Sequence, residues 1–285
     1  MEYITLNDGN KIPAAGFGVF QIPEEDTYQA VLDALEVGYR LIDTAVAYQN
    51  EAAVGKAIAD SSVDRKDIFV TSKLWVSQFT YEKATKAIDE SLQRMNLDYI
   101  DLMLLHQPYG DVAGAWKALE EAQAAGKIKS IGVSNFYADQ LKNLELMSKV
   151  APAVNQVEVS PWFQQDGEVN FMKHEKIIPE AWAPFAEGKH EIFTNETLKK
   201  IGDKYGKTNA QVILRWLLQR GIVSLAKSVH KERMQENFDI FDFELSQDDM
   251  KEISTLDKNE SQFFDHRDPV AIEGIFGSSL KQLEV

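Results

Sequence analysis

No cysteine occurs in the 285 residues, which excludes disulfides, thiolate nucleophiles and thiolate metal ligands. No apolar run approaches the ~20 residues of a membrane-spanning helix, so no membrane association is expected. Positive charge is scarce: 30 Lys and Arg stand against 45 Asp and Glu, a formal charge of -15. Such an acidic chain argues against nucleic acid as a partner, and any phosphate ligand needs a local basic pocket. The histidines are scattered, and His190-Glu191 lacks the second histidine of a zinc-protease helix, so no metal site is expected. No linker or low-complexity segment divides the chain. The expectation is one domain over residues 1–285, cytoplasmic and monomeric. What remains is an ordinary globular composition, 44% hydrophobic and 10% aromatic, enough for a sizeable core.

The pattern along the chain is strand then helix, repeated. Tyr3–Leu6 and Lys11–Pro13 flank Asn7-Asp8-Gly9-Asn10, a hairpin signal. Strands are then expected at Ala14–Phe20, Tyr39–Thr44, Ile68–Lys73, Tyr99–His106, Lys129–Ser134, Ala153–Val159, Lys176–Trp182 and Ile222–Lys227, each with a helical successor. Leu102-Met103-Leu104-Leu105 is continuously apolar, as in parallel strands buried on both faces. Strict alternation over this length predicts an α/β fold, a single (β/α)8 TIM barrel with a short N-terminal β-hairpin and an irregular C-terminal tail after a short helix opened by Ser246.

In such a barrel the chemistry belongs at the C-terminal ends of the strands. Those ends carry Asp43, Lys73, His106, Ser134-Asn135, Gln156, Glu158, Trp182 and Lys227-Ser228, with Tyr48 on the loop after Asp43. A free phenol has a pKa of about 10 and is a poor proton donor or acceptor at neutral pH. An adjacent Lys73 ammonium favours the phenolate and lowers that value; Asp43 holds Lys73 charged; His106 orients a carbonyl oxygen towards Tyr48. The set suits protonation of a carbonyl oxygen as a hydride reaches its carbon. It offers no activated nucleophile for hydrolysis.

Gly38-Tyr-Arg-Leu-Ile-Asp-Thr-Ala-x-x-Tyr48, Thr71-Ser-Lys-Leu-Trp75, Asp101-Leu-Met-Leu-Leu-His106, Gly132-Val-Ser-Asn-Phe136, Asn155-Gln-Val-Glu158 and Lys227-Ser-Val-x-x-x-Arg233 together resemble the aldo-keto reductases, in order and over nearly the whole chain. The resemblance is strongest to the compact bacterial branch with diketogluconate and methylglyoxal reductases and prostaglandin F synthase-like enzymes, whose tail Phe263–Pro269 resembles. It implies NADPH-dependent reduction of small aldehydes and ketones, including 2-oxoaldehydes. Tyr48 is then the general acid/base, with Asp43 and Lys73 tuning it and His106 orienting the carbonyl. Trp182 stacks on the nicotinamide; Ser134, Asn135 and Gln156 bind its carboxamide. Lys227, Ser228 and Arg233 bind the adenosine 2′-phosphate of NADPH/NADP+, and Glu236 and Asn237 lie against the adenine. The physics of Lys227-Ser228 ahead of a helix start carrying Lys231 and Arg233 agrees with an anion site. The chain departs from the family pattern at Ala226, Gln107 and Ala183.

Phe20, Trp75 and Tyr109, following strand ends, are expected to line the substrate pocket. Gly16-Phe17-Gly18 lacks the third glycine of a dinucleotide fingerprint and is expected to serve strand packing. Trp116, Trp162 and Trp216 are expected in the core or wall. Two rival functions are a non-catalytic NADPH-binding redox sensor and a barrel lyase or isomerase using Lys73 as a Schiff-base amine. The loops around 75–80, 107–113 and 262–270 are expected to shape the pocket.

Overall fold

The computed structural model describes residues 1–284. An antiparallel hairpin comes first, β1 (Tyr3–Thr5) with β2 (Lys11–Pro13). Eight parallel strands then close into a barrel: β3 (Ala15–Gly18), β4 (Leu41–Asp43), β5 (Phe69–Leu74), β6 (Ile100–Leu105), β7 (Ile128–Ser134), β8 (Val154–Glu158), β9 (Ile178–Trp182) and β10 (Val223–Ala226), with β10 returning to β3. Helices α1 (Glu24–Val37), α2 (Glu51–Asp60), α3 (Tyr81–Met95), α4 (Val112–Ala124), α5 (Ala138–Met147) and α6 (Asp166–His174) follow the first six strands. Two helices follow β9, α7 (Glu196–Tyr205) and α8 (Asn209–Gln219), and α9 (Lys231–Phe238) follows β10. The (β/α)8 architecture read from the alternation is the one observed.

Strand alternation decides what the barrel holds. In β4, β5, β8 and β9 the side chains two residues apart share one face. Leu41, Phe69, Val154 and Ile178 belong to one apolar cluster with Leu102, Leu104 and Val223, and the hairpin's Leu6 and Ile12 join it. The hairpin therefore stops the end of the barrel where the strands begin. Counting by twos along the same faces reaches Asp43, Lys73, Gln156 and Glu180, all buried. The interior is thus apolar at one end and ionisable at the other. A second, larger cluster lies between strands and helices and takes in Trp116, Trp162 and Trp216, the core positions expected of them.

Gly16 is a packing residue, as its strand context implied: a Cβ there would stand 2.6 Å from Leu41 and 2.7 Å from Leu225. The tail differs from expectation. After α10 (Gln247–Ser254) the chain crosses the C-terminal mouth of the barrel and forms α11 (Pro269–Lys281) instead of remaining irregular. Asp268 caps it, accepting from Val270 N, and Pro269 opens its first turn, where a missing N–H costs nothing. No described helix is long and apolar enough to cross a membrane.

Candidate active site

The loop that carries Tyr48 is held by its own sequence. Thr44 Oγ1 donates to Asn50 Oδ1 at 2.7 Å, and Asn50 Nδ2 donates back to the Val19 carbonyl at 3.1 Å. Between them Val46–Tyr48 makes one tight turn, closed by Gln49 in the left-handed region at φ +58°. Below the loop, Glu51 accepts from Ser72 Oγ and from the Arg94 guanidinium, which joins α2 to β5 and α3. Tyr48 thus stands on a buried polar frame.

Lys73, fully buried on β5, has three ammonium hydrogens and three acceptors. Nζ donates to Asp43 Oδ1 at 2.6 Å, to the Thr44 carbonyl at 2.9 Å and to Tyr48 Oη at 3.3 Å. Because the phenol oxygen accepts from Lys73, its own hydrogen is free to point elsewhere. Burial is the largest influence and works against the Lys73 charge, but Asp43, Tyr48 and Glu180 together outweigh it and the pKa is raised from its ordinary value. A lysine so held is no free amine, which argues against Schiff-base chemistry.

For Tyr48 the sequence expectation of a lowered pKa is corrected. Burial is the largest influence and raises it; the Lys73 charge pulls the other way and does not win. The phenol is therefore a protonated group at neutral pH, a donor rather than a standing phenolate. His106 sits edge-on to Tyr48 with ring centroids 5.7 Å apart, and edge-on to Trp75 at 5.1 Å. Burial, then the Lys73 charge, keep its pKa well below the ordinary histidine value. Its Nδ1 is buried without a partner among the described residues, which leaves Nε2 as the ring nitrogen that can meet a ligand.

A cleft of ≈ 620 Å³ opens above these groups at the C-terminal end of the barrel. Tyr48, His106, Asp43, Ser134, Asn135, Gln156, Trp182 and Lys227 line it, as do Phe20 and Trp75. Phe20 packs on Tyr48 with centroids 4.9 Å apart. Trp182 is fixed by its indole N–H, which donates to Asn135 Oδ1 at 2.9 Å. Asn135, left-handed at φ +65°, spends both amide hydrogens on the His106 carbonyl and Ser134 Oγ. Ser134 in turn donates to the Gln156 carbonyl.

Tyr109 does not line the cleft, contrary to expectation. Its ring packs on Phe276 at 5.0 Å and its hydroxyl donates to the His266 carbonyl, so it props the tail from outside. Ser228, Arg233, Glu236 and Asn237 lie on the loop and helix beyond Lys227, outside the enclosed cleft. There Lys231 is committed to Glu36 at 2.7 Å, whereas Lys227 and Arg233 are exposed and form no ion pair among the described residues. Ser228 Oγ accepts from His230 N at 3.0 Å, and Glu236 accepts from Thr208 Oγ1.

Several lining residues were not singled out from the sequence, although the segment around 262–270 was expected to help shape the pocket. The tail and α11 bring Phe263, Phe264, His266, Ile275 and Phe276 over the cleft, and the β9–α7 connection brings Phe185 and Phe193. Trp75 Nε1 donates to Ser279 Oγ of α11 at 2.9 Å. Glu158, the strand-end acid, turns to the tail instead of the cleft, accepting from Ser261 Oγ at 2.6 Å and Gln262 N at 2.9 Å. Glu180 was missed altogether, although a carboxylate two residues before Trp182 in a buried strand was its signal.

Burial, then the Asp43 charge, push the Glu180 carboxyl up to about 8 from an ordinary 4.5. Between those two values the folded chain keeps a proton that the unfolded chain has lost, so stability falls as pH rises through that window. Glu180→Gln is accordingly expected to gain stability over the parent as the pH is taken from about 5 to about 8. Denaturant midpoints of both proteins at the two pH values check this; a difference independent of pH would contradict it.

The description Aldo/keto reductase family matches residues 14–258 of the chain. Methylglyoxal reductase DkgA of Escherichia coli is 43% identical over 260 residues, 90% of this chain and 94% of that protein. Glyoxal reductase of Bacillus subtilis is 43% identical over 261 residues, 91% and 94% of the two chains. Among solved structures, a Bombyx mori aldo-keto reductase in complex with NADP superposes with a TM-score of 0.88 at 34% identity, over 95% of this chain and 96% of that one.

Proposed function

The chain belongs to the aldo/keto reductase family and is an oxidoreductase acting on carbonyl groups, and from that premise we propose that it reduces small 2-oxoaldehydes and related aldehydes and ketones with NADPH, as a cytoplasmic monomer, with Tyr48 giving the proton. The observation that carries this reading is the three-way hold on Lys73, which leaves the Tyr48 hydroxyl hydrogen free. The named activities of the Escherichia coli and Bacillus subtilis relatives support the substrate class.

The residues present fit the cofactor. Gln156 Oε1 accepts no hydrogen bond among the described residues and is not enclosed, so it offers an acceptor to a carboxamide at the cleft wall. Trp182, locked by Asn135, offers a flat face beside it. Lys227 and Arg233 form no ion pair among the described residues of a chain of charge -15, which suits the 2′-phosphate. When bound, NADPH supplies a hydride to the carbonyl carbon.

The chain's own groups act on the carbonyl oxygen. Neutral His106 donates from Nε2 and sets the oxygen near Tyr48. Tyr48 passes its hydrogen to that oxygen as negative charge grows there. The Lys73 ammonium, 3.3 Å from the phenol oxygen, stabilises the charge left on it, and Asp43 keeps Lys73 in place. Phe20, Trp75, Phe264 and Phe276 give the cleft apolar walls suited to excluding water.

Cofactor absorbance followed with methylglyoxal and a panel of aldehydes tests the reading; a folded protein with no turnover on any of them would overturn it in favour of a sensor. The 2′-phosphate assignment has its own check. Arg233→Ala is expected to weaken NADPH binding roughly 10- to 100-fold, the worth of a charged hydrogen bond, and to leave NADH binding unchanged. Titration of both cofactors against the variant decides it, and equal losses would place the phosphate elsewhere.

A further inference from the structure

Glu180 has no part in the proton transfer above, yet its side chain is wholly enclosed in the barrel and Oε1 has no partner among the described residues. Its one hydrogen bond is to Gln156, whose Nε2 donates to Glu180 Oε2 at 2.8 Å and to Asp43 Oδ2 at 2.9 Å. An amide nitrogen carries two hydrogens, so both are spent on these two acids. Turning the amide over would set Gln156 Oε1 against Asp43, which is ionised against Lys73 at 2.6 Å. That orientation is excluded by like charge.

We propose that Glu180 is a positioning residue: together with Asp43 it pins the Gln156 amide so that Oε1 faces the cleft and accepts from the carboxamide NH2 of the cofactor. Asp43 alone is one point of attachment, about which the amide can swing; Glu180 is the second point and fixes its plane. Ser134 Oγ already accepts from Asn135 Nδ2, and Asn135 Oδ1 from the Trp182 indole N–H, which leaves Gln156 Oε1 as the ready acceptor. The inference rests on the NADPH reading of the site.

The test compares binding of NADP+ with that of its acetylpyridine analogue, in which a methyl group replaces the carboxamide NH2. Tryptophan fluorescence reads the affinity of each, independently of turnover. The parent should prefer NADP+ by roughly 10-fold, about one hydrogen bond. Glu180→Met, similar in size and without an acceptor, should shrink that preference towards unity, because a freed amide no longer presents Oε1. Glu180→Gln keeps an oxygen for Gln156 Nε2 and should restore the preference. The ratio is taken within each protein, so a general weakening of the barrel cancels. Full preference in Glu180→Met, or its loss in Glu180→Gln, overturns the role of Glu180. A parent that binds neither dinucleotide overturns the NADPH reading and this inference with it.

Discussion

Tyr48→Phe is expected to lower kcat by roughly 10³-fold while NADPH affinity stays within about twofold of the parent. The phenol is half-buried beside Lys73, and the substitution removes the oxygen and its hydrogen and nothing else of the ring. The packing of Phe20 on that ring, at 4.9 Å between centroids, is kept. The loop around it is fixed by Thr44, Asn50 and Val19, none of which touches the phenol oxygen, so the variant should fold as the parent does. Steady-state kinetics and a cofactor titration on the same preparation separate the two effects. Loss of NADPH binding in step with kcat would mean that Tyr48 is a wall of the cofactor site and no proton donor.

Lys73→Met should be costly in both stability and rate. Asp43 is 4% exposed at its side chain, and without the ammonium its Oδ1 is a buried charge with no partner. Removing one member of such a pair typically costs about 3–5 kcal/mol, because the remaining charge stays desolvated. Pairing the change with Asp43→Asn removes that charge and should recover much of the stability. The double variant should nevertheless remain slow, since nothing then stabilises the charge left on the Tyr48 oxygen. Chemical denaturation and kcat on the single and double variants form the measurement. A double variant that regained activity along with stability would show Lys73 to be structural only.

The barrel was legible because each strand and each helix carries its period on its own: Leu102–Leu105 reads as buried strand, and Tyr28, Val31, Leu32 and Leu35 read as one helical stripe. Asp43, Lys73, His106 and Gln156 were legible for a related reason, since strand ends can be aligned once the strands are counted. What failed depended on burial and on contacts distant in sequence. The direction of the Tyr48 pKa turned on how deeply the phenol lies, which its neighbours in sequence do not state. Tyr109 was misplaced because α11, its packing partner, was itself unread. That helix carries Gly274, Gly277 and two serines, a weak propensity that hid the Asp268-Pro269 start signal. Glu180 was passed over because the strand was judged by its last residue, Trp182, rather than by the face that both share.

Reduction of methylglyoxal with NADPH deuterated at the transferable position of the nicotinamide, followed by mass analysis of the alcohol, bears on the whole scheme at once. One deuterium should appear on the former carbonyl carbon, with the hydroxyl hydrogen drawn from solvent through Tyr48. Alcohol without the label, or borohydride trapping of substrate on Lys73, would contradict it.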